Sequence, residues 1–294
     1  MDLLLQQIVG GLATGGIYAS VALALVMIYQ ATDHLNFAQG EMAMFATYIA
    51  WTLLNAGVPY WIAFFGTVVA AFAGGILIQR LILRPVEKAP VLSVVIVFIG
   101  LLVIFNSVAG WIWSYTLKAF PSPFPEQPLR LFGETTVRMH DAGAILVTLI
   151  VLVLLFLFFR FTPLGLAMRA AAQNPESSRL VGIRVGWMLA LGWGLAAAIG
   201  GIAGMMVAPI LFLDPNLMAG VLLYGFAGAL FGGITSPGGA VLGGFAVGVM
   251  ENLVGTYVPF VGNELKLTVA LVLIIGVLTV RPSGLFGKIV VKRV

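Results

Sequence analysis

Nine apolar stretches follow one another along this 294-residue chain, with little polar sequence between them. They run over residues 3–29, 38–55, 58–83, 91–115, 141–160, 187–211, 218–234, 238–257 and 264–280. A helix needs about 20 apolar residues to cross a bilayer, and each stretch comes near that length, although 38–55 and 218–234 are short. Because the stretches are continuously apolar rather than alternating, they predict membrane-spanning helices and not the strands of a β-barrel.

The composition supports the same class. Hydrophobic residues make up 61% of the chain and charged residues only 9%, which is more apolar surface than a soluble domain of this size can bury. The fold class predicted is therefore an all-α integral membrane protein, a polytopic bundle of about eight or nine transmembrane helices in a single domain, 1–294. Eight spans with one re-entrant or broken segment is the alternative count. The first residues carry Asp2 and no basic residue, which indicates an uncleaved first span rather than a signal peptide.

The basic residues predict the orientation of the spans. They form three clusters: Arg80, Arg84 and Lys88; Arg160, Arg169, Arg179 and Arg184; and Arg281, Lys288, Lys292 and Arg293. With nine spans all three clusters fall on one side of the membrane, which the positive-inside rule makes cytoplasmic. The N-terminus is then outside and the C-terminus cytoplasmic. The net charge of +4 follows from this topology and does not indicate nucleic-acid binding.

Residues 161–186, here called the cytoplasmic segment, look like a piece of soluble protein between two spans. Thr162-Pro163 and Asn174-Pro175-Glu176 are each typical of a helix N-terminus, and Gly182 is a typical helix stop. The first of the two short helices has an apolar side made of Leu164, Ala167, Met168, Ala171 and Ala172. Such a segment can be an ordinary loop near lipid headgroups or a docking element for a soluble partner. Its compact, capped helices favour docking.

Two other patterns concern packing and connections. The longest predicted exterior connection, about 116–140, contains four prolines within 121–128, which favours an extended, stiff segment. The second half of the chain repeats the small-residue spacing that lets helices approach closely in lipid. The glycine pairs are Gly200 and Gly204, Gly228 and Gly232, Gly239 and Gly243, and Gly244 and Gly248. A tight turn is predicted over 232–239.

Polar side chains within apolar spans are candidates for a solute pathway. Glu41 follows Asn36 at the predicted cytoplasmic start of the second span, where an interfacial carboxylate is the competing interpretation. Glu251, with Asn252 beside it, lies inside a span, where helix pairing competes with a pathway or gating role. Tyr18 and Asn106 could offer hydrogen bonds to a zwitterionic solute, whereas Tyr29 and Tyr257 are typical of interface anchors.

The sequence lacks the usual signatures of an enzyme. It has no Cys, and His34 and His140 fall on opposite sides of the predicted topology, so no metal site is expected. No phosphate-binding G-x-x-x-x-G-K-[ST] motif and no nucleophile elbow is present. We expect no catalysis by this chain, and energy for uphill transport would come from an ion gradient or another subunit.

Five stretches, spread in order over the chain, resemble the branched-chain amino acid ABC transporter permeases of the LivH type. They are GGLATGGIYASVALALVMIY, LNFAQGEMAMF, GLAMRAAAQNPESSRLVGI, GALFGGITSPGGAVLGG and RPSGLFG. In that family the loop resembling 164–183 contributes a coupling helix that fits a groove on the ATP-binding subunit. Ser178 stands where members often have Ala, and Arg184 stands where Asn is common, which could affect the choice of ATPase.

The resemblance implies an importer subunit in the bacterial cytoplasmic (inner) membrane. Its implied partners are two ABC ATPase subunits, a second related permease and a periplasmic or extracellular solute-binding protein. ATP and Mg would be bound by the ATPases, and this chain would hold no cofactor. The coupling residues implied are Leu164, Gly165, Met168, Arg169, Ala170, Asn174, Pro175, Glu176 and Gly182. The substrate-pathway candidates are Tyr18, Asn36, Glu41, Asn106, Glu251 and Asn252.

Other functions remain open at this point. An ion-driven secondary transporter would use Glu251 as its ion-linked carboxylate, but no matching pair of interrupted spans supports it. A channel would need Asn174-Pro175 as part of a pore motif, and a helix cap explains that pair better. Related permeases also carry other amino acids, short amides and urea, so the exact substrate stays open.

Overall fold

A computed structural model describes residues 2–32, 34–87, 89–125, 127–131, 135–262 and 265–287, most of which are helical. The helices are α1 (Asp2–Thr32), α2 (Gln39–Asn55), α3 (Tyr60–Ile78), α4 (Arg84–Val86), α5 (Val91–Trp113), α6 (Met139–Phe161), α7 (Pro163–Gln173), α8 (Pro175–Leu180), α9 (Val185–Leu211), α10 (Leu217–Gly232), α11 (Pro237–Tyr257) and α12 (Lys266–Val280). A π-helical turn, Gln79–Leu83, joins α3 to α4. Each predicted apolar stretch therefore coincides with a helix.

Six helical segments in the described part of the chain are long and apolar enough to cross a membrane: Leu3–Gln30, Tyr60–Val86, Val91–Trp113, Met139–Phe161, Val185–Leu211 and Pro237–Tyr257. The helices α2, α10 and α12 are shorter, with 17, 16 and 15 residues. The multi-pass helical class is confirmed, while the count of eight or nine spans and the sides of the two termini stay predictions. Lys88, Lys288, Lys292 and Arg293, used for orientation, lie outside the described residues.

The proline-rich connection after α5 forms no helix in its described residues 121–125, 127 and 128, while its predicted extended and stiff conformation stays a prediction. The chain then forms two short strands, β1 (Leu129–Leu131) and β2 (Thr135–Val137), which pair antiparallel. This small ribbon is a departure from the all-α prediction.

The chain divides into two compact units, each built from separated parts of the sequence. Unit 1 comprises Met1–Val26, Phe124–Thr148 and Gly220–Val294, and unit 2 comprises Met27–Pro123 and Leu149–Ala219. The prediction of a single permease domain over 1–294 stays untested by this division, because transmembrane bundles of one function are often made of two helical groups.

Unit 2 is organised around α9, which is largely buried. A β-carbon placed on Gly75 of α3 would lie 2.5 Å from the carbonyl oxygen of Trp193, and one on Gly194 would lie 2.8 Å from that of Phe72. Two helices therefore touch backbone to backbone here. The Trp193 ring, fully buried, also stacks on Phe98 of α5 at 5.9 Å between centroids. Small residues on α9 thus let its neighbours approach more closely than larger side chains would allow.

Helix α2 begins level with the middle of α9. The amide of Gln39, the first residue of α2, donates a 2.9 Å hydrogen bond to the carbonyl oxygen of Ala196. Ala196 is the twelfth residue of the 27-residue α9, which is about 40 Å long. A β-carbon on Gly200 would lie 3.2 Å from that of Ala43, so the two helices run on side by side. The second predicted span is short because it starts inside the bundle.

Unit 1 is packed through glycines on three helices. A β-carbon on Gly11 of α1 would lie 2.7 Å from Cα of Val249 on α11, and one on Gly228 of α10 would lie 2.7 Å from Cα of Gly244. The predicted packing role of the second-half glycines is confirmed. Gly11 and Gly15 of α1, which were not among the predicted packing glycines, have the same four-residue spacing and meet α11 directly.

The RPSGLFG stretch at 281–287 closes the end of α10. The backbone N–H groups of Leu285 and Phe286 donate 2.9 Å hydrogen bonds to the carbonyl oxygens of Phe231 and Gly232. Those carbonyls are at the helix C-terminus and would otherwise lack partners. Gly284 has φ +73° and Gly233 has φ +112°, a left-handed conformation that glycine adopts without strain. The predicted tight turn at 232–239 is confirmed, with Ser236 capping α11.

Candidate functional site

The cytoplasmic segment has the two capped helices that the sequence predicts. The Thr162 side chain accepts a 3.0 Å hydrogen bond from the backbone N–H of Gly165 at the start of α7. Asn174 ends α7 and caps α8, accepting a 2.9 Å bond from the N–H of Ser177. Gly182 follows α8 with φ +83°. All three predicted boundary signals are therefore confirmed.

The segment has an inner face that holds it in place. Gly165, Met168 and Ala171 are buried, and Ala171 belongs to an apolar cluster with Val185 and Leu189 of α9. A β-carbon on Gly165 would collide with the backbone at Phe158, so α7 leaves α6 through a tight bend. Met168 and Ala171 are confirmed on the predicted apolar side. Leu164, in the first turn of α7, is 40% exposed.

The outer face of the same segment is open. Leu180 is 89% exposed, Val181 75% and Leu166 60%, and the side chain of Arg169 is also exposed. Of the predicted coupling residues, Leu164, Arg169, Asn174, Pro175, Glu176 and Gly182 are exposed, Ala170 is half-buried, and Gly165 and Met168 are buried. Apolar and basic side chains are thus both exposed on this segment.

The start of α9 is tied to the π-helical turn after α3, beside this segment. The guanidinium carbon of Arg80 lies 3.3 Å from the centroid of the Trp187 ring. A cation over a tryptophan face contributes about 0.5–1 kcal/mol at an exposed site and more when water is excluded. This contact keeps the base of α9 in a defined position next to α7 and α8.

Replacing Asn174 by alanine is expected to destabilise the cytoplasmic segment. The loss of an N-cap costs about 1 kcal/mol. We expect a melting temperature about 2–4 °C lower for the purified permease, as for a cooperative unit of 150–250 residues, measured by tryptophan fluorescence. Ser177→Ala is the matched control, because the cap bond uses the backbone N–H of Ser177 and survives that change. Equal melting temperatures for wild type and Asn174→Ala would contradict the cap.

In unit 1 two predicted pathway residues meet directly. The hydroxyl of Tyr18 on α1 donates a 2.7 Å hydrogen bond to Glu251 on α11. The Tyr18 ring stacks on Tyr224 of α10 with centroids 4.8 Å apart, and Lys266 on α12 interacts electrostatically with the Glu251 carboxylate. Asn252 lies against α1, where a β-carbon on Gly10 would be 3.4 Å from its amide nitrogen. This polar group ties four helices together.

In unit 2 the structure brings together Glu41 and Asn106. The amide of Asn106 on α5 donates to the carbonyl oxygen of Pro215 at 2.9 Å, to Asn216 at 3.3 Å and to Glu41 at 3.5 Å. Glu41 is only 7% exposed. It lies in the first turn of α2 and therefore near the middle of α9. The competing interpretation of Glu41 as an interfacial carboxylate stays a prediction.

Asn36 serves the loop that leads into α2. It is fully buried, and its side-chain oxygen accepts a 3.0 Å hydrogen bond from the N–H of Ala38. Its amide points toward Gln39, 3.5 Å away. These bonds satisfy a polar loop at the depth where α2 begins, which explains why an asparagine occupies this position.

Sequence reasoning missed Asn216 and Tyr224, which belong to these two groups. Tyr224 lies inside an apolar stretch and carries no distinguishing pattern. Asp214-Pro215-Asn216 sits in the gap between two predicted spans, where a polar turn is the ordinary expectation. The sequence signal that could have found Asn216 is that Asp214 and Pro215 come immediately before it, just ahead of the short 218–234 stretch.

Comparison with known proteins decides the family. The family model described as the permease component of branched-chain amino acid transport systems matches residues 7–278. The chain belongs to this permease family. The permease is 30% identical to the high-affinity branched-chain amino acid transport system permease LivH of Salmonella typhimurium, covering 99% of this chain and 97% of that protein. It is 32% identical to BraD of Pseudomonas aeruginosa, which has the same description, over 99% and 98%.

More distant proteins are similar as well. A probable branched-chain amino acid transport permease of Methanocaldococcus jannaschii is 29% identical to the permease over 95% of this chain and 91% of that one. Among solved structures, PsaBC from Streptococcus pneumoniae in complex with a Fab matches with a TM-score of 0.52 at 13% identity, covering 93% and 91%. At that identity the likeness concerns the fold alone. The predicted family and the multi-pass membrane class are thus confirmed.

Proposed function

We propose that the permease is a transmembrane subunit of an ATP-driven importer of branched-chain or related amino acids. The observation that carries this proposal is the match to a permease family over residues 7–278. In this proposal the chain forms half of the translocation pathway. Its partners are two ABC ATPases, a second homologous permease and a solute-binding protein outside the membrane. ATP and Mg are bound by the ATPases, and the site of action is the bacterial cytoplasmic membrane, with the N-terminus outside and the C-terminus in the cytoplasm.

The outer face of the cytoplasmic segment is the coupling surface in this proposal. A protein interface needs exposed apolar and arginine side chains on a support that does not rearrange. The exposed apolar and arginine side chains are those of Leu180, Val181 and Arg169. The support is the pair of capped helices, which packs on α9. Gly165 and Met168 then act indirectly, by holding the segment against α6 and α9. Movement of the ATPases would be passed to α9 through this contact.

The proposal is tested by uptake of labelled leucine into proteoliposomes. The permease is reconstituted with and without its candidate ATPases, second permease and binding protein, each omitted in turn. We expect uptake only when all are present with ATP and Mg. Uptake of urea or a short amide in place of leucine would keep the importer and change its substrate.

One result would overturn the proposal. If the permease alone accumulates leucine, and a proton or sodium ionophore abolishes that uptake, the chain is an ion-driven transporter. The Glu251 group would then be the first place to study, because it holds a carboxylate in the interior of unit 1.

A further inference from the structure

The helical segment that begins with α3 carries an irregular turn near its end. Tyr60–Val86 is one continuous helical segment, and Gln79–Leu83 is its π-helical turn. The backbone N–H of Arg84 donates to the carbonyl oxygen of Gln79, five residues earlier, where an α-helix uses the residue four earlier. Pro85 follows and has no N–H to donate to the residue four positions before it. The regular hydrogen-bond ladder is therefore interrupted here, and π turns and prolines are the usual places where helices bend.

Two polar side chains of this turn are buried without hydrogen-bond partners in the described part of the chain. The side-chain oxygen of Gln79 has none, and neither has Nε of Arg80. Gln79 is only 4% exposed, so bulk water does not reach most of its side chain. Buried polar atoms are almost always bonded in native proteins, and each exception calls for an explanation. A turn with a second arrangement, in which these atoms find partners, accounts for both.

The helices α3 and α9 are joined by contacts at two levels. Where α3 is regular, Gly75 and Gly194 bring the two backbones together. Five residues after Gly75, about 8 Å along the helix axis, the guanidinium carbon of Arg80 lies 3.3 Å from the centroid of the Trp187 ring. Trp187 is in the first turn of α9, two residues after Val185, which belongs to the apolar cluster that α9 shares with α7. The Arg80 contact therefore connects the π turn with the base of the cytoplasmic segment.

Resting on the proposed function, we propose that the π turn Gln79–Leu83 is a hinge of the importer, and that Arg80 and Trp187 link this hinge to the cytoplasmic segment. The contacts at two levels hold α3 and α9 together as one body that carries the segment. When the ATPases move the segment, this body tilts and the chain bends at the π turn, where the hydrogen-bond ladder is interrupted. Hinges of this kind are a few residues at the end of an element that absorb a change of direction. Arg80 is a positioning residue, because it acts through Trp187 and not on the solute.

The link is tested with Arg80→Gln and Arg80→Lys in proteoliposomes that contain all subunits and the binding protein. The readout is the amount of leucine transported per ATP hydrolysed. Arg80→Gln keeps a long polar side chain and removes the cation, so we expect this ratio to fall about fivefold, as the loss of one cation–π contact predicts. Arg80→Lys is expected to lie between wild type and Arg80→Gln, because an ammonium group also binds the face of a tryptophan.

Lys118→Gln is the matched control for the link. The Lys118 ammonium lies 5.2 Å from the centroid of the Trp51 ring, so this change also removes a cation–π contact. The backbone of Lys118 is bonded to Leu213, which follows the last residue of α9 at the end opposite Trp187. The ratio of leucine to ATP is therefore expected to equal that of wild type.

The hinge itself is tested with Pro85→Ala. Alanine supplies the missing N–H and is the best helix former, so the segment becomes free to form a regular helix. We expect a melting temperature equal to or above that of wild type, together with a ratio of leucine to ATP about fivefold lower, because the bent state is less populated. Pro59→Ala is the control, since Pro59 precedes the first residue of α3 and lies outside the helix. It should transport like wild type.

The outcomes separate the two proposals. If wild type shows no ATP-dependent uptake with its full set of partners, the proposed function is wrong. If wild type transports leucine, and Arg80→Gln and Pro85→Ala keep the wild-type ratio, the importer stands and the hinge is wrong. A lower melting temperature of Pro85→Ala with an unchanged ratio assigns the turn a structural role and also overturns the hinge. An equal fall of the ratio in Arg80→Lys and Arg80→Gln overturns the link through Trp187.

Discussion

Replacing Gly243 by leucine is expected to abolish uptake and to leave little folded permease. A β-carbon at this position would meet the carbonyl oxygen of Gly228 and lie 2.7 Å from the backbone nitrogen of Gly232. Backbone atoms cannot turn aside as side chains do, so α10 and α11 would have to separate. Overpacking costs about 1–3 kcal/mol even where neighbours can adjust, and here they cannot.

The measurement is the monodisperse fraction on size-exclusion chromatography, followed by leucine uptake of whatever folds. Gly276→Leu on α12 is the matched control, because nothing lies within 4 Å of a β-carbon there. The control is expected to give wild-type yield. A Gly243→Leu permease that elutes and transports like wild type would refute the direct helix contact in unit 1.

Replacing a basic and an apolar side chain of the coupling surface by acidic ones is expected to uncouple the importer without unfolding the permease. Arg169→Glu and Leu180→Asp change side chains that are exposed in the isolated chain, so the permease itself should keep its stability. At an interface, the loss of a central apolar or arginine contact costs about 2 kcal/mol or more, which is roughly 30-fold in affinity. ATPase stimulation by loaded binding protein should therefore disappear.

The experiment measures co-purification of the ATPases and ATP hydrolysis in proteoliposomes. Arg281→Glu provides a charge-matched control on an exposed arginine outside the cytoplasmic segment. It should bind the ATPases normally. If Arg169→Glu and Leu180→Asp both retain the ATPases and full stimulation, coupling runs through some other surface.

Local signals in the sequence were sufficient to locate helices and their ends. The Thr162 and Asn174 caps and the Gly182 stop depend on residues within four positions of one another, and the structure has all three. The same holds for the lack of helix in the described part of the proline-rich connection. Apolar length alone located the helices that cross or enter the membrane, because bilayer thickness imposes the same requirement on every span.

Features that depend on distant residues were not predictable from one sequence. The depth of Glu41 depends on where α2 meets α9, and that register is set by small residues about 160 positions away. Glu251 was identified as a candidate, but its partner Tyr18 is separated from it by 233 positions. Asn106 likewise binds Pro215 and Asn216, which are 109 and 110 positions away. Pairing between helices, rather than the pattern within each helix, carries this information.

The hydrogen-bond partner of Gln39 is synthesised much later than Gln39 itself, which has a consequence for the order in which the helices insert. Its amide bonds to Ala196, which is made 157 residues later. At about 5–20 residues per second the ribosome needs roughly 8 to 30 s to produce that partner. During this time α2 carries a polar amide and a carboxylate at its inner end without the helix that shelters them. We therefore expect α2 to enter the membrane fully only after α9 has been synthesised. The second helix of the chain is then among the last to reach its final position.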